Sequence, residues 1–196
     1  MKKTIILFFL FFLTTASIGF AQLSVNEIKD GSDNAKVKIF VYESLTCPHC
    51  AKFHKDVYPK LKKEYIDKGL VQIFFKSFPF DLAGLNAAKI THCTQDDKKL
   101  FFLNYLFETQ TKWTKGNTIE DINGNLKKSL EEFGIKNIDI EKCIKNKDIE
   151  NAILNERIDA VSKYKINSTP TLIINEEKFD KSLNYKNLKK TIEKLI

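Results

Sequence analysis

Four residues, Cys47-Pro48-His49-Cys50, sit where the hydrophobic period of the chain changes from two to helical, and that junction restricts the fold more than any other feature. Ahead of it, Val37, Ile39 and Val41 alternate with Lys38, Phe40 and Tyr42, which predicts a strand over 37–43. Behind it, Phe53, Val57, Leu61 and Tyr65 recur at helical spacing among lysines, predicting an amphipathic helix over 47–68 that Pro59 kinks. A second strand follows over 70–78 and is stopped by Pro79. Strand, helix, strand in that order implies two parallel strands joined by a right-handed crossover.

The texture then changes. From 82 to about 165 the apolar spacing is helical almost throughout, with Leu100, Leu103, Leu106 and Phe107 on one face and Ile149, Ala152 and Ile153 on another. Thr118 with Asp121 marks a capping-box start, while Asn123-Gly124-Asn125 weakens the helix that follows. Strand character returns over 170–174, a turn is expected over 175–178, Phe179 opens a short strand, and 185–196 is a final amphipathic helix. An α/β sheet domain split by a helical insertion accounts for this order. With 16 Phe, 6 Tyr and only 7 Gly and 4 Pro in 196 residues, the chain has a core to bury, which excludes disordered and collagen-like classes.

The formal charge of +7 invites a nucleic-acid partner, but the lysines are scattered among acids and Arg157 is the single arginine. Bidentate phosphate recognition favours arginine, so no nucleic acid is expected. Met1-Lys2-Lys3, the apolar run from Ile5 to Leu13 and the small-x-small Gly19-Phe20-Ala21 together predict a secretory signal peptide over 1–21. Thr14, Thr15 and Ser17 interrupt the run before the ~20 residues of a membrane span, which disfavours a retained anchor. The mature chain is therefore expected to be soluble in a compartment where disulfides persist.

At a strand-to-helix junction the first sulfur of a C-x-x-C faces unpaired amides and the positive end of the helix dipole, which favour a Cys47 thiolate. His49 adds a second favourable effect if it is protonated or donates a hydrogen bond. Stabilising the thiolate stabilises the reduced form, so the disulfide becomes an oxidant, while Cys50, one turn deeper, is expected to be shielded and keep a higher pKa. Two plainer readings compete: a stapling disulfide, or a metal site in which His54, four residues after Cys50, completes a three-ligand set. Zinc usually needs a second close pair, and Cys93 and Cys143 have only the lone His92 nearby in sequence.

Cys47-Pro48-His49-Cys50-Ala51-Lys52-Phe53-His54, Tyr58-Pro59-Lys60-Leu61, Phe78-Pro79-Phe80-Asp81 and Asn167-Ser168-Thr169-Pro170-Thr171 together resemble the DsbA family of thiol:disulfide oxidoreductases, in particular its alphaproteobacterial-type branch. The resemblance spans nearly the whole mature chain. It implies a thioredoxin fold with an inserted all-helical domain: signal peptide 1–21, thioredoxin-fold domain 22–82 and 158–196, helical domain 83–157. It implies a cis-proline loop at Pro170, with Thr169 offering its backbone to an extended substrate as an added strand and Pro48 beside it. The Thr169 hydroxyl is a candidate donor to the Cys47 thiolate. Cys93 and Cys143, by the same resemblance, form a second disulfide.

One position departs from the family pattern. A Glu often stands six residues before the first active-site Cys, whereas this chain has Val41 there and Glu43 two residues on, along the same strand face. Glu43 either accepts the Cys50 proton, balanced by Lys76 on the adjacent strand, or lies exposed at the strand end. The resemblance further implies catalysis without organic cofactor or metal on exported unfolded polypeptides with free thiols. A quinone-linked DsbB-type membrane oxidase then restores the disulfide, in the periplasm. A monomer is expected, because about 15 residues between cleavage and the first strand are too few for a dimerisation domain. The alternatives are an isomerase or reductase of the same fold, encouraged by Thr169, and a secreted metal-binding module using Cys47, Cys50 and His54.

Overall fold

A computed structural model describes residues 25–196, so the signal-peptide expectation at 1–21 lies outside the described residues. Five strands form one sheet in the order β1-β3-β2-β4-β5. At its centre β2 (Val37–Glu43) and β3 (Val71–Ser77) are parallel, in register from Val37 opposite Val71 to Glu43 opposite Ser77. β4 (Thr171–Ile174) lies antiparallel on the other side of β2, and β5 (Glu177–Lys178) antiparallel on β4. The outer strand β1 (Ile28–Asp30) pairs antiparallel with β3. Sequence patterning does not reveal β1, because three residues are too few to display a period of two.

The alternation of β2 sets the two faces of the sheet. Val37, Ile39 and Val41 join Phe53, Leu61 and Phe102 in the main core, whereas Tyr42 packs with Phe78, Ala160 and Ile173 on the opposite face. Glu43, two residues beyond Val41, therefore points into the main core. The helix expected over 47–68 is divided: α1 (Pro48–Asp56), a break at Val57, α2 (Tyr58–Leu61), then a π-helical turn over Lys62–Ile66. Pro59 has no amide to donate to the carbonyl four residues back and its ring crowds that carbonyl, so the ladder opens rather than bends.

The helical block contains α3 (Leu82–Cys93), α4 (Asp96–Glu108), α5 (Gln110–Trp113), α6 (Ile119–Phe133), α7 (Ile140–Lys145) and α8 (Lys147–Tyr164). Helix α6 opens on the Thr118–Asp121 capping box and runs through Asn123-Gly124-Asn125 without a break until Gly134, at φ +88°, ends it. The buried Leu126 and Leu130 outweigh the weak propensity of those three residues. Helix α8 is continuous across 157–158, where the helical insertion was expected to end. Its late turn covers the second face of the sheet through Ala160 and Tyr164.

The turn expected over 175–178 is tighter. Asn175 and Glu176 alone make it, both at positive φ (45° and 74°), and the return strand starts at Glu177 rather than at Phe179. The Asn175 side chain accepts from the Lys38 amide at 2.8 Å, which ties this hairpin to β2. The last helix, α9 (Tyr185–Ile192), is capped by Asn184 and ends short of residue 196.

Candidate active site

Strand β2 delivers the chain to a three-residue loop, Ser44-Leu45-Thr46, whose end is Cys47 at the N-cap of α1. Pro48 occupies the first turn, where its missing amide costs nothing. The loop is held from the helical insertion: Gln110 Nε2 donates to the Leu45 carbonyl at 2.7 Å and the Cys47 carbonyl at 3.1 Å. Thr46 Oγ1 donates to Asp81 Oδ2 at 2.7 Å, and Asp81 also caps α3 by accepting from the Gly84 amide. Gly84 allows this close approach, since a Cβ there would lie 3.0 Å from Ser44 Oγ and 3.1 Å from Thr46 Oγ1.

Cys47 is half-buried and Cys50 fully buried, and both are free thiols. The Cys47 thiol is lowered from its ordinary 9.0 to about 5. The largest cause is a hydrogen bond from the Cys50 thiol; partial burial opposes it, and the Thr169 hydroxyl and the amides of Cys50 and His49 add to it. With Cys47 as a thiol, the buried Thr169 hydroxyl has no hydrogen-bond partner among the described residues, which leaves it free to donate to a thiolate. His49 contributes through its backbone amide, while its exposed imidazole takes no part in these bonds. Cys50 moves the opposite way: burial, the loss of its proton's bond to Cys47, and the nearby charges of Glu43 and Cys47 all raise it.

Opposite Cys47, the Thr169-Pro170 peptide bond is cis, and the Cys47 thiol donates to the Thr169 carbonyl at 3.4 Å. A groove beside this pair is lined by His49, Phe53, Thr169, Pro170, Leu183 and Tyr185. The structure thus brings Cys47, Cys50, Pro48, His49, Thr169 and Pro170 around one sulfur.

Glu43 lies beneath this group and is 4% exposed, which removes the alternative of a solvated strand end. Its partner is not Lys76, which instead pairs with Glu27 at 2.8 Å and Glu156 at 2.9 Å. Adjacent strand positions point to opposite faces, and Lys76 is level with Tyr42. Glu43 Oε2 meets His54 Nε2 at 2.8 Å, while Oε1 has no partner among the described residues. Burial raises the carboxyl, with the His54 contact opposing. His54 Nδ1 is bonded to Asn104 Oδ1 at 2.7 Å, so both ring nitrogens are engaged and His54 is not presented to Cys47 and Cys50 as a third metal ligand. No three His, Cys, Asp or Glu side chains meet as a metal set among the described residues.

Cys93, at the end of α3, is bonded to Cys143 in α7, with Cα atoms 6.0 Å apart. Sequence reasoning does not find Gln110 or Asn104: both are single polar residues within helical apolar patterns, and nothing local marks which way they face. His54 is visible in the sequence, but as a metal ligand; its four-residue spacing from Cys50 places it correctly on α1 without revealing Glu43 beside it.

A five-stranded sheet with a C-x-x-C at a helix N-terminus and a cis-proline opposite defines a protein of dithiol–disulfide exchange. The comparisons agree: the family profile described as Thioredoxin matches residues 24–194. A curated relative from Bacillus anthracis, "Probable disulfide bond formation protein D", is 30% identical over 171 residues, 84% of this chain and 76% of that protein. Among solved structures, Wolbachia pipientis alpha-DsbA1 superposes with a TM-score of 0.78 at 31% identity, covering 87% of this chain and 90% of that one. Oxidised BdbD from Bacillus subtilis gives 0.72 at 27%, covering 86% and 91%. The chain belongs to the DsbA family of thiol:disulfide oxidoreductases, with a thioredoxin fold carrying a helical insertion.

Proposed function

We propose that the protein introduces disulfide bonds into exported polypeptides by handing on a Cys47–Cys50 disulfide. One observation carries this: the Cys47 thiol is held near 5 at the mouth of α1 while its partner sulfur is buried and pushed up. Holding Cys47 as a thiolate stabilises the reduced pair relative to ordinary thiols, so the bond is readily given away. A substrate thiolate attacks Cys47 Sγ, the Cys47–Cys50 bond breaks, and Cys50 leaves and is protonated. A second substrate thiolate then attacks the substrate sulfur of the mixed disulfide, and Cys47 leaves as the stabilised thiolate. Substrate has lost two electrons and two protons; the enzyme keeps both electrons and one proton.

In this reading Pro48 and Pro170 flank the attacked sulfur, and the Thr169 backbone aligns an extended substrate as an added strand. The His49 amide and Thr169 hydroxyl favour the Cys47 anion, and Glu43 exchanges the proton of Cys50. Cys93–Cys143 is a structural disulfide. Reoxidation by a quinone-linked DsbB-type membrane protein, a periplasmic location after loss of a signal peptide, and a monomeric state complete the proposal. Among the described residues no helix is long and apolar enough to cross a membrane.

The test is oxidation of reduced ribonuclease set beside refolding of scrambled ribonuclease, with the Cys47–Cys50 equilibrium measured against glutathione. Fast oxidation, slow unscrambling and a readily reduced pair are expected. A pair that glutathione barely reduces would overturn the oxidant assignment, and efficient unscrambling would make the protein an isomerase.

A further inference from the structure

The orientation of His54 follows from its hydrogen bond to Asn104 and from the rings packed around it, one of which, Tyr58, is itself anchored. Tyr58 Oη donates its only hydrogen to Asp30 Oδ2 at 2.6 Å, a carboxylate that also accepts from Lys62 at 2.9 Å. Asn104 Oδ1 faces His54 Nδ1, 2.7 Å away. A carbonyl oxygen accepts and never donates, so Nδ1 carries the ring hydrogen. Phe107 stacks on the ring at 4.1 Å, with Phe53, Tyr58 and Phe75 around it, which keeps the imidazole from turning over. Nε2 is left as the one ring position that can gain or lose a proton, and it faces Glu43 Oε2 at 2.8 Å.

Resting on the reading that Glu43 exchanges the Cys50 proton, we propose that Asn104 and His54 are positioning residues for that exchange. Asn104, from the helical insertion, fixes the tautomer in which His54 Nε2 and Glu43 Oε2 share a single movable proton. When Cys50 leaves as a thiolate, the pair's proton passes to its sulfur, and one proton from solvent, entering by the open groove lined by Lys52, Lys55, Asn104 and Glu108, restores it between Nε2 and Oε2 while Nδ1 keeps its hydrogen. Reoxidation runs the same path backwards, with Cys50 giving its proton up as it attacks the mixed disulfide. Asn104 itself orders the ring and carries no proton. The titratable groups facing His54 are Glu43 from β2, Cys50 on its own helix and Tyr58 from α2, with Asp30 of β1 behind Tyr58. Helix α4 supplies Asn104 and, at the groove rim, Glu108; Lys52, Lys55, Asp56 and Lys62 complete the rim.

The test uses the protein with Cys47 blocked as its glutathione mixed disulfide, following release of glutathione by Cys50 against pH in wild type, His54→Phe, Asn104→Leu and Glu43→Gln. In His54→Phe, Glu43 loses the base that shares its proton and its carboxyl rises further. Release at pH 7 is then expected to slow by about tenfold or more, with its inflection displaced to higher pH. Ring-nitrogen NMR is expected to show the wild-type His54 with hydrogen on Nδ1 and a mixture of tautomers in Asn104→Leu, a readout that a merely structural contact would leave unmoved. Coincident pH profiles for wild type, His54→Phe and Asn104→Leu, with Glu43→Gln displaced, overturn this inference and leave the Glu43 reading standing. An undisplaced Glu43→Gln profile overturns the Glu43 reading itself. Should His54→Phe not fold, an unchanged tautomer in Asn104→Leu overturns the inference alone.

Discussion

The chain holds two cysteine pairs of the same chemistry in opposite surroundings. Cys47 and Cys50 are one helical turn apart, one half-exposed at the start of α1 and lowered to about 5, the other buried and raised. Cys93 and Cys143 are 50 residues apart and clamp α3 to α7 inside the helical block, beside a His92 whose burial lowers it to about 4 and so keeps it neutral. Asymmetry around a short loop makes a bond easy to transfer, because the leaving sulfur is stabilised and little chain entropy is at stake. A long loop makes the reverse: closing 50 residues removes roughly 4 kcal/mol of unfolded-state freedom, which breaking the bond would give back.

Breaking the contrast at its reactive end has the largest effect. Cys47→Ser is expected to reduce oxidation of reduced ribonuclease to the uncatalysed rate, whereas Cys50→Ser keeps Cys47 and accumulates mixed disulfides with substrate, visible on non-reducing gels. Removing the other pair reverses the outcome: Cys93→Ala with Cys143→Ala loses up to roughly 4 kcal/mol in urea unfolding while ribonuclease oxidation changes by no more than a few-fold. A greater loss of rate than of stability would mean that the two pairs are not separable.

The thiolate absorbance of the reduced protein is expected to titrate with a midpoint near 5. The sign follows from the lowered pKa: the extra stability of the reduced state is complete above the ordinary thiol value of 9.0, declines as pH falls, and is gone below about 5. A midpoint near 9 would erase the asymmetry. The smallest change expected is Thr169→Val, which removes one hydroxyl donor and raises the Cys47 midpoint by roughly half to one pH unit, read by the same absorbance.

Much of this was legible along the chain. Alternation exposed β2, the apolar run ended by Pro79 exposed β3, the capping box located α6, and the C-x-x-C at the strand-to-helix change located the reactive sulfur. Where local signals failed, the reasons differ. β1 is too short to have a period. The Asn175-Glu176 turn depends on two positive φ angles that neither residue type demands. Glu43 had two equal readings because a carboxylate at a strand end is buried or solvated according to what packs over it, here α1 and α4 carrying His54 and Asn104.

Covalent spacing and residue chemistry, which are local, determined that a nucleophilic sulfur would stand at a helix start with a second sulfur one turn behind it. Proximity between distant segments is not local, so only the folded chain decided that Thr169 faces Cys47, that Gln110 steadies the loop ahead of it, and that the buried acid is answered by an imidazole instead of Lys76. Those contacts come from packing across the sheet and the helical insertion, and they join residues from 11 to 122 positions apart.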